Sequence, residues 1–159
     1  MSESSGRPGR ALGLDIGGRR VGVAISDELG LIASPLVTID LDREGLEGLV
    51  ALIKRYAPSV IVVGLPVTMR GQEGTQAAET RRFVESLRPH VQCPIVFWDE
   101  RLTSSAAERL LTEAGVRRGR RRQLVDAVAA ALMLQSYLDA QRAGQPPRKQ
   151  SRRQPDDEP

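Results

Sequence analysis

Two neighbouring stretches near the start of the chain alternate with period two, and each has one face stripped almost bare. Along Ala11–Ile16, Leu12, Leu14 and Ile16 point one way while Gly13 and Asp15 point the other, with Gly17 in phase with them. Along Arg20–Asp27, Val21, Val23 and Ile25 oppose Gly22, Ala24 and Ser26. Gly17 and Gly18 lie between the two stretches, so a hairpin is expected. Its apolar face belongs to a core. Its other face carries one carboxylate among very small side chains. Space beside a carboxylate suits a metal ion and a phosphate. The simpler alternative is that the small residues admit a close-packed helix and Asp15 caps a turn.

The remaining pattern completes an α/β domain. A third strand is expected from Leu31 to Ile39, with Pro35 marking an edge or a bulge. The three strands form an antiparallel meander. The period then changes: Leu46, Leu49, Val50 and Ile53 follow helical spacing, which predicts a helix over 43–56. Val60–Val63 is wholly apolar, the mark of a strand buried on both faces. The loop Pro66–Gly74 reads as mobile. Thr75 is placed as the cap of a helix running to about Arg88, stopped by Pro89. Ile95–Trp98 is a second buried strand. Thr103 opens a helix to about Ala114, ended by Gly115. Residues 123–141 form the last helix, whose unbroken apolar run Ala127–Leu134 implies burial all round. The sum is a mixed five-stranded sheet with helices on both faces. The domain is expected over 11–143, between a flexible stretch 1–10 and a disordered tail 144–159 rich in Gly, Pro, Gln, Ser and charge.

Composition narrows the chemistry. With 159 residues there is room for one core but not for two nucleotide-clamping lobes. The single cysteine, Cys93, and single histidine, His90, exclude an internal disulfide and a histidine- or cysteine-rich zinc site. A metal would have to be held by carboxylates, which favours Mg²⁺ or Mn²⁺. Aromatics make up 3% of the chain, too few for a base-stacking platform. No apolar run suits a membrane span or a signal peptide, so the protein is expected in the cytoplasm, with no membrane partner and Cys93 reduced. The net charge is +3, less than the charge of the five arginines within 117–122 alone. Basicity is thus one local cluster, suited to phosphates or equally a solvated loop.

Four acids stand where chemistry is plausible. Asp15 lies on the bare strand face. Asp99 and Glu100 follow the strand Ile95–Trp98, at the carboxyl end where α/β sheets carry their sites; Glu100 could instead pair with Arg101 or favour the next helix N-terminus. Asp126 enters the last helix, and its face-mates Ala129 and Ala130 are small enough to bring that helix close to the sheet. It could also be a first-turn acid favoured by the helix dipole, or a partner of the adjacent arginines. Three acids from a strand, a strand end and a helix suggest one site, and close carboxylates ionise together only if cations neutralise them. Two divalent ions would do so at a phosphodiester. His90 and Cys93 have no visible partners and receive no role.

The segments Leu14–Asp27, Val63-Gly-Leu-Pro66, Asp99-Glu-Arg-Leu-Thr103 and Asp126-Ala-Val-Ala-Ala130, in that order, resemble the YqgF (RuvX) family. The resemblance covers about 11–141. Its members are bacterial ribonuclease-H-like proteins, described provisionally as pre-16S ribosomal RNA nucleases or Holliday junction resolvases. It implies that Asp15, Glu100 and Asp126 are the catalytic and metal-holding acids, with Asp99 a neighbour. It implies nucleic-acid contacts from Arg20, Arg101, Thr103, Arg117, Arg118, Arg120, Arg121 and Arg122. Thr68 and Arg70 depart from the family pattern, in the loop after Gly-Leu-Pro.

The expected function is metal-dependent endonuclease cleavage of structured nucleic acid, with two Mg²⁺ or Mn²⁺ ions, processing the 5′ end of pre-16S rRNA in ribosome biogenesis. A resolvase acting on branched, four-way DNA is one alternative. A non-catalytic nucleic-acid binding factor is another. The Asp-x-Gly turn also resembles the phosphate turn of sugar kinases, but no second such loop follows. Both a monomer and a homodimer fit.

Overall fold

The structure is a computed structural model that describes residues 9–68, 70–99 and 118–144, with 118–124 described as backbone only. Strands β1 (Ala11–Ile16), β2 (Arg20–Ser26) and β3 (Ala33–Asp40) come first, followed by helix α1 (Leu41–Tyr56). Strand β4 (Val60–Leu65), helix α2 (Thr75–Leu87), a short 3₁₀ turn (Arg88–His90), β5 (Ile95–Asp99) and helix α3 (Arg118–Arg142) complete the order. The sheet runs β3-β2-β1-β4-β5. β1 pairs with β2, and β2 with β3, antiparallel; β4 and β5 extend the sheet in parallel with β1.

The two faces of the sheet separate as the alternation predicts. Leu12, Leu14, Val21, Val23, Ile61, Val63 and Phe97 form one core with α1 and α2 through Leu49, Ile53, Ala77, Val84 and Leu87. Ala11, Ala24, Val62 and Trp98 form the other with α3 through Ala130, Met133, Leu134, Tyr137 and Leu138. The Trp98 indole donates to Ser136 Oγ at 3.0 Å and meets the Tyr137 ring edge-on at 5.5 Å. Helices therefore cover both faces. β3 is an edge strand, and its pairing skips Leu36 where Ala24 passes to Pro35, so Pro35 marks both an edge and a bulge.

Four boundaries differ from the sequence reading. β3 starts at Ala33 because Asp27 Oδ1 takes the Leu31 and Ile32 N–H groups at 2.7 and 2.9 Å, holding them in a turn. α1 starts at Leu41, since Asp40 accepts from the Asp42 N–H at 3.0 Å as its N-cap. Thr75 does not cap α2: Gly74 takes that position without a side-chain bond, and Thr75 is the first helical residue. α3 starts at Arg118, so arginines 118–122 lie on helical backbone and not in a loop before it. The helix expected over 103–114 and the tail lie outside the described residues.

The bare face is filled by α3. A Cβ at Gly13 would sit 2.9 Å from Leu134 Cβ, and a Cβ at Gly22 only 2.0 Å from the Asp126 carbonyl oxygen. A Cβ at Gly18 would meet nothing within 4 Å. Gly22→Ala is therefore expected to cost about 1–3 kcal/mol or more, as overpacking against backbone does. Gly18→Ala should stay within about 0.5 kcal/mol of wild type. Chemical denaturation of the two variants checks the contrast.

Candidate functional site

The site is set at Gly22. Asp15 faces Gly22 directly across the β1–β2 pair. Residues opposite one another in an antiparallel pair share a face at about 4.5–5.5 Å, and this is the face α3 covers. The helix lies against Gly22 with the backbone of Asp126. A strand acid and a helix acid 111 positions apart in sequence thus converge on one glycine. Asp15 is half-buried, near the carboxyl end of β1. Asp126 is not a first-turn acid: it sits about two turns beyond Arg118, so the helix dipole does not account for it.

Arg20 pairs with the helix acid. It shares a strand face with Gly22, and its Nε lies 2.9 Å from Asp126 Oδ2. Half of the Arg20 side chain is exposed against 24% of Asp126. The distance is that of a hydrogen bond, but the direction is not: Oδ2 is buried and, among the described residues, no hydrogen-bond donor is aimed at it. The contact is an ion pair held by charge. The sequence reading assigned Arg20 to phosphates and did not foresee this partner.

The donor chemistry fits a hard divalent cation. Carboxylate oxygens are what Mg²⁺ and Mn²⁺ take, and a buried oxygen without a hydrogen-bond donor is a ready ligand. Among the described residues there is no group of three or more His, Cys, Asp or Glu able to hold a metal. Glu100, Arg101, Thr103 and Arg117 lie outside those residues. Arg118, Arg120, Arg121 and Arg122 lie on α3 backbone ahead of Asp126. On β5, Val96 and Trp98 face α3 while Ile95 and Phe97 face the opposite core, which puts Asp99 in phase away from Asp126.

Other sequence candidates settle elsewhere. Asp27, within the first matching segment, holds the hairpin turn, and the Ile32 and Leu31 N–H groups pull its carboxyl below the ordinary aspartate range. The loop after β4 contains a hydrogen-bonded turn, in which Thr68 Oγ1 accepts from the Gln72 N–H at 3.1 Å and the Thr68 N–H donates to the Gln72 carbonyl at 2.7 Å. His90 and Cys93 both line a hollow of about 380 Å³ with Lys54, at the amino ends of β4 and β5, the far edge of the sheet from Asp15. Burial pushes the Cys93 thiol up, the opposite of an activated nucleophile.

Residues 9–140 match the family described as "RuvX: Holliday junction resolvase". A relative from Geobacillus kaustophilus (strain HTA426), provisionally named a pre-16S rRNA nuclease, is 50% identical over 137 residues, 84% of this chain and 99% of its own. One of the same name from Roseiflexus sp. (strain RS-1) is 46% identical over 140 residues, 87% of this chain and 99% of its own. The solved structure of T. thermophilus RuvC in complex with Holliday junction substrate aligns with a TM-score of 0.56 at 18% identity, over 87% of this chain and 99% of that one. At that identity the likeness shows the fold, which is ribonuclease-H-like.

Asp126→Asn is expected to change folding stability by no more than about 1 kcal/mol, because its partner Arg20 is half in water and makes no aimed hydrogen bond to it; thermal unfolding without metal measures this. Asp27 has a depressed folded pKa, so its contribution is present above the unfolded aspartate value and is lost as the pH falls through the folded value. Asp27→Asn should flatten stability against pH in that acid range, read by denaturation at stepped pH.

Proposed function

The chain belongs to the RuvX family, and on that premise we propose that it is a metal-dependent endonuclease. It hydrolyses phosphodiester bonds in structured nucleic acid, and its most fitting task is processing the 5′ end of pre-16S rRNA in ribosome biogenesis. The observation that carries this reading is the convergence of Asp15 and Asp126 on Gly22, with a buried carboxylate oxygen that no hydrogen bond among the described residues satisfies. The names of the relatives favour ribosomal RNA as substrate. The description of the family supports the second reading, a resolvase acting on four-way DNA, for which two sites related by a dyad are needed.

Asp15 and Asp126 would hold the metal, with Glu100 the third acid next to the end of β5. Two Mg²⁺ or Mn²⁺ ions, when bound, supply Lewis-acid activation of water and of the scissile phosphate. The rest of the work belongs to the chain. The glycine and alanine contacts fix α3 on the sheet and so fix the spacing of the two acids. Arg20, Arg101, Thr103, Arg117, Arg118 and Arg120–Arg122 would hold phosphates without reading bases, which positions the backbone for in-line attack. Among the described residues no helix is long and apolar enough to cross a membrane; a cytoplasmic setting suits the reading.

The test is cleavage of a labelled rRNA precursor and of a four-way DNA junction with Mg²⁺, Mn²⁺ or chelator. Wild type should cut only with metal. Asp15→Asn, Glu100→Gln and Asp126→Asn should each lose at least about a hundredfold, since even outer-shell partners of a metal cost 10–100-fold. Preference for the precursor supports the RNA reading; preference for the junction replaces it with the DNA one. Tight binding without cleavage by wild type would turn the protein into a binding factor.

A further inference from the structure

We propose that Arg20 is a built-in counter-cation of the acidic site: it holds Asp126 while no divalent ion is bound, and must leave when one binds. This rests on the reading of Asp15 and Asp126 as metal-holding acids. It adds a residue that opposes the metal before it serves the substrate.

Three features of the pair support a contact made to be broken. The acceptor is rigid. The Asp126 backbone cannot move closer to the sheet, because it already occupies the space a Gly22 side chain would need, with the carbonyl oxygen 2.0 Å from an added Cβ and the Ala127 nitrogen at 2.9 Å. The donor is mobile: Arg20 reaches over on a long stem with half of its side chain in water, so its release is into solvent. The contact also lacks direction. An arginine that locks a carboxylate does so with aimed, often paired, hydrogen bonds. Here Nε lies 2.9 Å from Oδ2, yet among the described residues Oδ2 has no donor pointing at it.

The two cations repel one another at that oxygen. A Mg²⁺ or Mn²⁺ ligand oxygen lies about 2.0–2.2 Å from its ion. A guanidinium nitrogen at 2.9 Å from the same atom would sit within about 5 Å of the ion, two positive charges in a partly buried space. Any ion bound through Oδ2 therefore competes with Arg20. Once released, the guanidinium remains at the rim of the site, on the strand that faces Asp15, where a substrate phosphate is its natural partner. Metal entry thereby frees a phosphate contact, and by linkage a phosphate that engages Arg20 assists metal entry.

The measurement is calorimetric titration of the full chain with Mn²⁺, without nucleic acid. Arg20→Gln and Arg20→Ala should bind Mn²⁺ about two- to fivefold more tightly than wild type, the fold-change equivalent to a half-exposed ion pair. Arg19→Gln removes the same charge one residue away, where the side chain is 81% exposed and lies 3.6 Å from Asp42 instead; its affinity should match wild type. Equal tightening in Arg19→Gln would reduce the effect to net charge and overturn the proposal. So would unchanged or weaker binding in both Arg20 variants while Asp126→Asn loses binding, which would leave the metal site standing. Binding untouched by Asp126→Asn, or absent from every variant, would remove the metal site and the proposal together. Metal-free unfolding of each variant confirms that it is folded.

Discussion

The distance between α3 and the sheet governs the rest of the molecule. At Gly22 the gap is too small for one methyl group, and at Gly13 nearly so. Such an approach is possible only where the sheet face has no side chains to speak of and the helix face is built from alanine. Both conditions are met by residues far apart in the chain, Gly13, Gly22 and Ala24 on the strands and Ala127, Ala130 and Ala131 on the helix. Toward β5 the same interface widens to take Trp98, Met133 and Tyr137. The helix is thus pinned at one end by backbone contact and at the other by bulk, and Asp126 has one position relative to β1 and β2.

That position carries an electrostatic cost. A carboxylate brought against a sheet loses water. A fold selected for stability alone would put an apolar residue there. Arg20 offsets part of the cost from the open side of the site, where its charge stays solvated. On the proposed reading, the pair balances a stable metal-free protein against an acid kept ready for a cation. Asp27 shows the contrast. It too is an acid at the edge of the hairpin, but it accepts two backbone N–H groups and is fully spent on the turn.

Much of this was legible in the chain because the informative signals were local. Period-two alternation separated the two sheet faces residue by residue, and Asp15 stood out as the one acid among glycines. The apolar run from Ala127 marked a helix buried all round. The start of that helix was not legible, since arginines 118–122 carry no apolar period to distinguish helix from loop. Thr75 misled because a capping residue type is informative only when its side chain finds an orphan N–H, and here Gly74 holds the cap. The Arg20–Asp126 pair joins positions 106 apart, and no spacing rule reaches across that separation. His90 and Cys93 were read as solitary, but the 3₁₀ turn and the loop before β5 bring them to one hollow.

The central claim is that Asp15 and Asp126 share one cation across Gly22. The most direct measurement is paramagnetic line broadening of the backbone amide spectrum by substoichiometric Mn²⁺, recorded on the wild-type chain. Broadening centred on amides around Asp15, Gly22 and Asp126, segments far apart in sequence, and extending to those around Glu100, is the predicted result. Broadening that spares those segments, or that centres on the acids of α1 or on Asp156, Asp157 and Glu158, would contradict it.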